Sequence, residues 1–195
     1  AIEGAKQLKV IGRAGAGVDT IDVDAATAKG IAVMNAPDGN TLAAAEHAIS
    51  LLFSLARHVP RADAGMKAGQ WPKAGLTGFE LEGKRLGVSG LGRIGSTVAR
   101  KAQGIGMDVA AFDPFLPASA AGKGSVSLKT LDELLAWADI ITLHIPRTKD
   151  TTNLIGETQM RTMKKGAYLV NAARGGLIDE DALLRLLDEG HLAGA

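Results

Sequence analysis

Short apolar runs alternate with helix-period segments along the whole chain. Leu8-Lys9-Val10-Ile11 reads as a strand and passes into the glycine-rich stretch Gly12 to Gly17. Asp22 to Lys29 fits a helix, with Asp22 placed to cap its start and Gly30 to stop it. Ile31 to Met34 reads as a second strand, closed by the turn cluster Asn35-Ala36-Pro37-Asp38-Gly39-Asn40. From Thr41 to about Lys67, Leu42, Ala45, Ile49, Leu52, Phe53 and Leu55 recur at helical spacing and predict one long helix. Its apolar band is too broad for a one-sided surface helix, so it is expected to pack against more than one partner.

Gly69 to Gly83 contains Trp71-Pro72 and reads as a linker or arm. Beyond it the alternation restarts. Strands are expected at Arg85–Ser89, Asp108–Phe112, Ser125–Leu128, Asp139–Leu143 and Ala167–Asn171, and helices at Arg93–Ile105, Leu131–Trp137, Glu157–Lys164 and Glu180–Glu189. Leu192 to Ala195 resembles the start of another strand. Strands without polar alternation, separated by helices, mean a parallel sheet covered on both faces. The expected fold class is therefore α/β, a doubly wound parallel sheet wired by right-handed crossovers.

Composition narrows the class of function. The chain has 195 residues, with 22 Lys+Arg against 21 Asp+Glu and a net charge of +1. That balance offers no electrostatic argument for nucleic acid or an anionic membrane as partner. Seven aromatic side chains (four Phe, two Trp and one Tyr) are too few for a base-stacking surface. Cysteine is absent, so disulfides, thiolate metal sites and cysteine nucleophiles are excluded, and no metal is expected. No run of 18 apolar residues exists to span a membrane, and the N-terminus lacks the pattern of a signal peptide. A cytoplasmic protein is expected. The missing initiator Met and the strand-like end suggest a piece of a longer chain. Glycine, 25 residues, is nearly twice as frequent as the usual ~7%, which suits backbone that must approach a ligand closely.

The strongest chemical signal is Gly90-Leu91-Gly92-Arg93-Ile94-Gly95, placed after an apolar strand and before a helix. In a Rossmann unit Gly90 makes the turn, Gly92 lets backbone approach a pyrophosphate, and Gly95 lets helix and strand pack. The helix start at Arg93-Ile94 offers N–H groups and a positive dipole end to phosphates. Asp113 ends the next strand, 18 residues after Gly95, and suits the adenine ribose hydroxyls. A carboxylate there would repel a 2′-phosphate, so NAD is expected over NADP. His144-Ile145-Pro146 leaves a further strand, where Ile145 and Pro146 can wall a ligand crevice, while His144 reads as a hydrogen-bonded strand-end histidine. Thr148, Thr151 and Thr152 suit helix capping as well as ligand contact. Asn171-Ala172-Ala173-Arg174-Gly175-Gly176 places an Arg at a strand exit, where its planar fork suits a carboxylate. Gly12-Arg13-Ala14-Gly15-Ala16-Gly17-Val18-Asp19 reads as an anion-binding nest or a tight turn.

Taken in order and with their spacing, these motifs resemble the D-isomer-specific 2-hydroxyacid dehydrogenases over the whole chain. The resemblance implies an NAD-dependent enzyme acting on the CH–OH group of a small-molecule D-2-hydroxy acid. It implies cofactor contacts at Ala16, Gly90, Gly92, Arg93, Ile94, Gly95, Asp113, Ile145, Pro146, Ala172, Ala173 and Arg174. It makes Arg174 the catalytic, substrate-orienting residue and gives Arg13, Gly15, Ala16 and Gly17 to the substrate carboxylate. Residues 1–37 would be a remnant of a flavodoxin-like substrate domain and 38–195 the NAD-binding Rossmann domain. The family's acid/base His and its Glu partner would lie beyond Ala195, since His47, His58, His144 and His191 do not match that position. A homodimer is implied as well. Relatives acting on glyoxylate, lactate or formate, and an NAD-sensing corepressor-like interaction protein, are the alternative readings on the same fold.

Overall fold

The computed structural model describes residues 2–71, 73–117 and 126–195. Pro72, and Ser125 of the expected strand Ser125–Leu128, lie outside the described residues. The chain divides into two units, 1–43 and 44–195.

The first unit is one β–α–β turn of chain. Strand β1 (Val10–Arg13), helix α1 (Val23–Ala28) and strand β2 (Ala32–Asn35) follow one another, and the strands pair in parallel with Val10 opposite Ala32. The Asp22 carboxylate accepts from the Ala25 N–H at 2.9 Å and caps α1, and Gly30 leaves it at φ +67°. Strand β1 runs two residues later than its apolar run predicts, because it pairs where β2 reaches, out to Arg13 beside Asn35.

Helix α2 (Thr41–Ala56) and helix α3 (Val59–Lys67) replace the single long helix expected over 41–67. The break has a local cause. Pro60 has no N–H to give, and its ring would collide with the carbonyl four residues back, that of Ala56. The chain turns at His58, which takes φ +52°, and Pro60 falls in the first turn of α3, where proline is tolerated. The freed Ala56 carbonyl accepts from the Phe79 N–H at 2.9 Å, and a His58 ring nitrogen lies 3.2 Å from the Thr77 carbonyl. At Gly78 any Cβ would collide with that same Ala56 oxygen, so the segment expected as an arm is pinned at this end to the α2–α3 corner.

The second unit continues with β3 (Arg85–Ser89), α4 (Arg93–Gly104), β4 (Asp108–Phe112), β5 (Ser127–Leu128), α5 (Leu131–Trp137), β6 (Ile140–Leu143), α6 (Glu157–Thr162), β7 (Ala167–Asn171), α7 (Glu180–Asp188) and β8 (Leu192–Gly194). Its six strands are parallel, in the order β5-β4-β3-β6-β7-β8. The direction of winding reverses between β3 and β6, which is the topological switch point of a Rossmann fold. Alternate strand residues serve opposite faces. Ile141, Leu143 and Leu169 pack with Leu134, Leu135, Met160 and Leu186 of α5, α6 and α7. Leu86, Val88, Ile140 and Val170 pack on the other face with Ala48, Leu52, Val98 and Ala99 of α2 and α4. Burial on both faces explains the strands' unbroken apolar composition. No helix among the described residues is long and apolar enough to cross a membrane.

Candidate functional site

The carboxyl ends of β3, β4, β6 and β7 lie side by side, and the loops leaving them carry most of the residues singled out by sequence. At the end of β3, Gly90 stands at φ +90° and donates its N–H to the Phe112 carbonyl at 2.8 Å. A Cβ on Gly90 would come within 2.7 Å of Ile145 Cγ2 and 2.8 Å of the His144 carbonyl oxygen. One on Gly95 would collide with the Gly90 carbonyl oxygen. These two glycines are required by the fold itself. Gly92 is different. It forms the N-cap of α4 at φ −68°, and a Cβ there would meet nothing within 4 Å. Neither backbone strain nor internal packing accounts for glycine at 92. The turn leaves open space beside Arg93 and Ile94, at a helix start that carries no side-chain cap.

Asp113 joins two of these loops. One carboxylate oxygen accepts from the Leu91 N–H at 2.9 Å and the other from the Phe115 N–H at 3.0 Å. Each oxygen keeps a further lone pair, so the group can accept from a diol while it fixes the glycine loop. This tie to the glycine loop was not foreseen from sequence.

At the end of β6, the His144 N–H donates to the Ser89 carbonyl at 2.8 Å, and its Nε2 lies 3.0 Å from Thr142 Oγ1. Burial holds the imidazole down at about 4, well below the ordinary histidine value, so it is neutral at pH 7. His144 is thus the strand-end histidine that its position suggested. Ile145 is half-buried against the core and Pro146 is exposed. The Thr148, Thr151 and Thr152 hydroxyls are engaged with one another and with the Pro146 and Thr148 carbonyls, and they brace a turn rather than cap a helix, since the next helix begins only at Glu157. The Ser89 hydroxyl, fully buried beside Gly90, has no partner among the described residues.

Beyond β7, Ala172 and Ala173 are half-buried and Arg174 is exposed. An Arg174 terminal nitrogen donates to the Ala173 carbonyl at 2.8 Å. The remaining candidates belong to the first unit. There Gly15 donates to the Arg13 carbonyl at 2.9 Å, Arg13 Nε donates to the Gly17 carbonyl at 3.3 Å, and Asn35 Nδ2 donates to the Ala16 carbonyl at 2.8 Å. That loop is a folded turn braced by its own side chains.

Residues 49–195 match the family described as D-isomer specific 2-hydroxyacid dehydrogenase, NAD binding domain. The chain belongs to the D-isomer-specific 2-hydroxyacid dehydrogenases. Within this dehydrogenase family it is 50% identical over 194 residues to the D-3-phosphoglycerate dehydrogenase of Archaeoglobus fulgidus, covering 100% of this chain and 37% of that one. It is 50% identical over 188 residues to the protein of the same name from Bacillus subtilis, covering 96% of this chain and 36% of that one. Among solved structures, the D-lactate dehydrogenase from Aquifex aeolicus complexed with NAD and lactic acid superposes with a TM-score of 0.87 at 35% identity. That match covers 97% of this chain and 57% of the Aquifex chain. The chain thus spans a little over a third of the curated relatives it matches. It carries the dehydrogenases' NAD-binding domain, and NAD is its cofactor.

Proposed function

We propose that the protein carrying this chain is an NAD-dependent D-2-hydroxyacid dehydrogenase that oxidises 3-phosphoglycerate to 3-phosphohydroxypyruvate, a step toward serine biosynthesis. The observation that carries the cofactor half of this reading is Gly92, a glycine with open space where its side chain would stand. Two near-full-coverage matches at 50% identity to proteins named D-3-phosphoglycerate dehydrogenase support the substrate half.

Bound NAD supplies the acceptor for the hydride that leaves the carbinol carbon. The hydroxyl proton would pass to the family's acid/base histidine, which none of His47, His58, His144 and His191 matches, and the residues of this chain position the reactants. Gly92 admits the pyrophosphate to the start of α4, where the Arg93 and Ile94 N–H groups and the helix dipole hold it. Asp113 accepts from the adenine ribose hydroxyls, and Gly90 and Gly95 keep the turn tight. Ile145, Pro146, Ala172 and Ala173 exclude water from the dinucleotide. Arg174 grips the substrate carboxylate and stabilises negative charge on the oxygen in the reverse reaction. Arg13, Gly15, Ala16 and Gly17, in a substrate-binding domain to which residues 1–37 belong, would offer backbone amides to the substrate carboxylate, and Ala16 a contact to the cofactor.

The protein works in the cytoplasm as a homodimer. Val59, Met66 and Trp71 on α3 and the following arm are 50%, 51% and 74% exposed, apolar surface that a second copy would cover. The test is a nicotinamide absorbance assay of the full-length protein with a panel of D-2-hydroxy acids. Turnover with 3-phosphoglycerate well above lactate and glycerate is expected. A preference for lactate or glyoxylate would move the protein to another branch of the family, and no turnover with any acid would refute the reading.

A further inference from the structure

We propose that Asn171 is a positioning residue for Arg174, an inference that rests on the dehydrogenase reading of that arginine. Arg174 is exposed in the middle of a loop, and a long side chain is useful for orienting a substrate only if its Cα is fixed. Residues on both sides of it supply that fixity. On the near side the Asn171 side chain uses both ends of its amide. Its Oδ1 accepts from the Ala173 N–H at 3.1 Å, and its Nδ2 donates to the Arg174 carbonyl at 2.8 Å. Asn171 itself is the last residue of β7 and is paired in register with Leu143 of β6. The bracket therefore ties the arginine's peptide to the rigid sheet.

On the far side the loop is held at Gly176. Its carbonyl accepts from the Asn153 N–H at 2.9 Å. Its φ of +76° is one that a side chain disfavours, and a Cβ there would press on the Arg147 guanidinium, 3.1 Å from both Cζ and Nε. Between these two anchors only Arg174 and Gly175 intervene. No side chain other than asparagine offers both an amide donor and a carbonyl acceptor on so short a stem. Aspartate keeps the acceptor alone, and alanine keeps neither.

The experiment uses the full-length enzyme, with Arg174→Ala as reference. Asn171→Ala is expected to lower kcat/KM for the hydroxy acid by about 10- to 100-fold, with KM for NAD changed less than about threefold. Asn171→Asp is expected to fall between it and wild type. In the double variant with Arg174→Ala, loss of Asn171 should cost almost nothing more, since both changes remove one interaction. Additive losses, or Asn171→Ala activity within about threefold of wild type, would overturn the proposal. If the wild-type enzyme oxidises no hydroxy acid, the dehydrogenase reading fails on its own account. The bracket is then judged in the 195-residue chain by nuclear relaxation of the Arg174 Nε–H bond. Greater mobility in Asn171→Ala upholds it and unchanged mobility overturns it.

Discussion

Gly92→Ala separates what the glycine loop does for the fold from what it does for the cofactor. The new methyl would meet no atom of the protein within 4 Å, and φ −68° is ordinary for alanine. Two small terms then compete in stability. Losing glycine's freedom in the unfolded chain stabilises by about 0.4–1 kcal/mol. Alanine is a poorer N-cap than glycine, a cost of up to about 1 kcal/mol. They nearly cancel, so the melting temperature should stay within roughly 4 °C. Binding is another matter, because the methyl occupies the approach to the Arg93 and Ile94 N–H groups. Hydrogen bonds to a charged acceptor contribute about 1.5–3 kcal/mol each, so losing two weakens NAD by about 100-fold or more. Titration calorimetry on the 195-residue chain, paired with thermal scans, measures both quantities. Gly95→Ala is the control. Its Cβ collides with the Gly90 backbone, and it should destabilise the fold itself by about 2 kcal/mol or more. Normal NAD affinity in Gly92→Ala would refute the assignment of this open space to the pyrophosphate.

Four further outcomes follow from the same geometry. The wild-type chain should bind NAD at least about tenfold more tightly than NADP, and Asp113→Asn should narrow that gap; calorimetry showing equal affinities in the wild type would remove Asp113 from the ribose site. Asp113→Ala should also lower stability by about 1–3 kcal/mol in urea titrations, since the Leu91 and Phe115 N–H groups both lose their acceptor. Ser89→Ala removes a buried hydroxyl without a partner among the described residues and should raise stability by about 1 kcal/mol, measured the same way. His144 has its folded value lowered from 6.5 to about 4, so the unfolded state binds the proton first; full stability is present above pH 6.5 and is lost by about 1–3 kcal/mol as pH falls toward 4, a slope that His144→Gln should flatten.

The second unit is legible in sequence because its central strands β3, β4, β6 and β7 are buried on both faces. An apolar run such as Ala167–Asn171, bounded by Gly166 and by a small-residue turn, matches a strand of the same limits. The capped helices are legible for a similar reason. Thr130 caps α5 in a reciprocal box with Glu133, a chemistry readable from spacing alone. The failure at residues 41–67 has the opposite origin. Apolar periodicity continues across Arg57 and His58, and a pattern of apolar spacing takes no account of Pro60. Proline's missing N–H is a local signal that overrides a helical pattern, and here the broken helix supplies the carbonyl that receives Phe79.

The site is legible to the extent that residue type alone dictates geometry. Gly90 is explained by a left-handed φ and Gly95 by a helix seated on a strand, and both demands arise inside the chain. Polar side chains that hold backbone leave a fainter trace. The sequence points Asp113 at a ribose but gives no sign that both its oxygens also brace loops, through the Leu91 and Phe115 N–H groups. Asn171 was read only as part of a string of small residues, although an Asx side chain two residues before an N–H is a known turn device. Gly92 carries the most information about a ligand because the protein gives no reason of its own for it. A residue whose identity the fold does not require, at the mouth of a helix and on the switch point of the sheet, is where the demand of a cofactor would show in the chain itself.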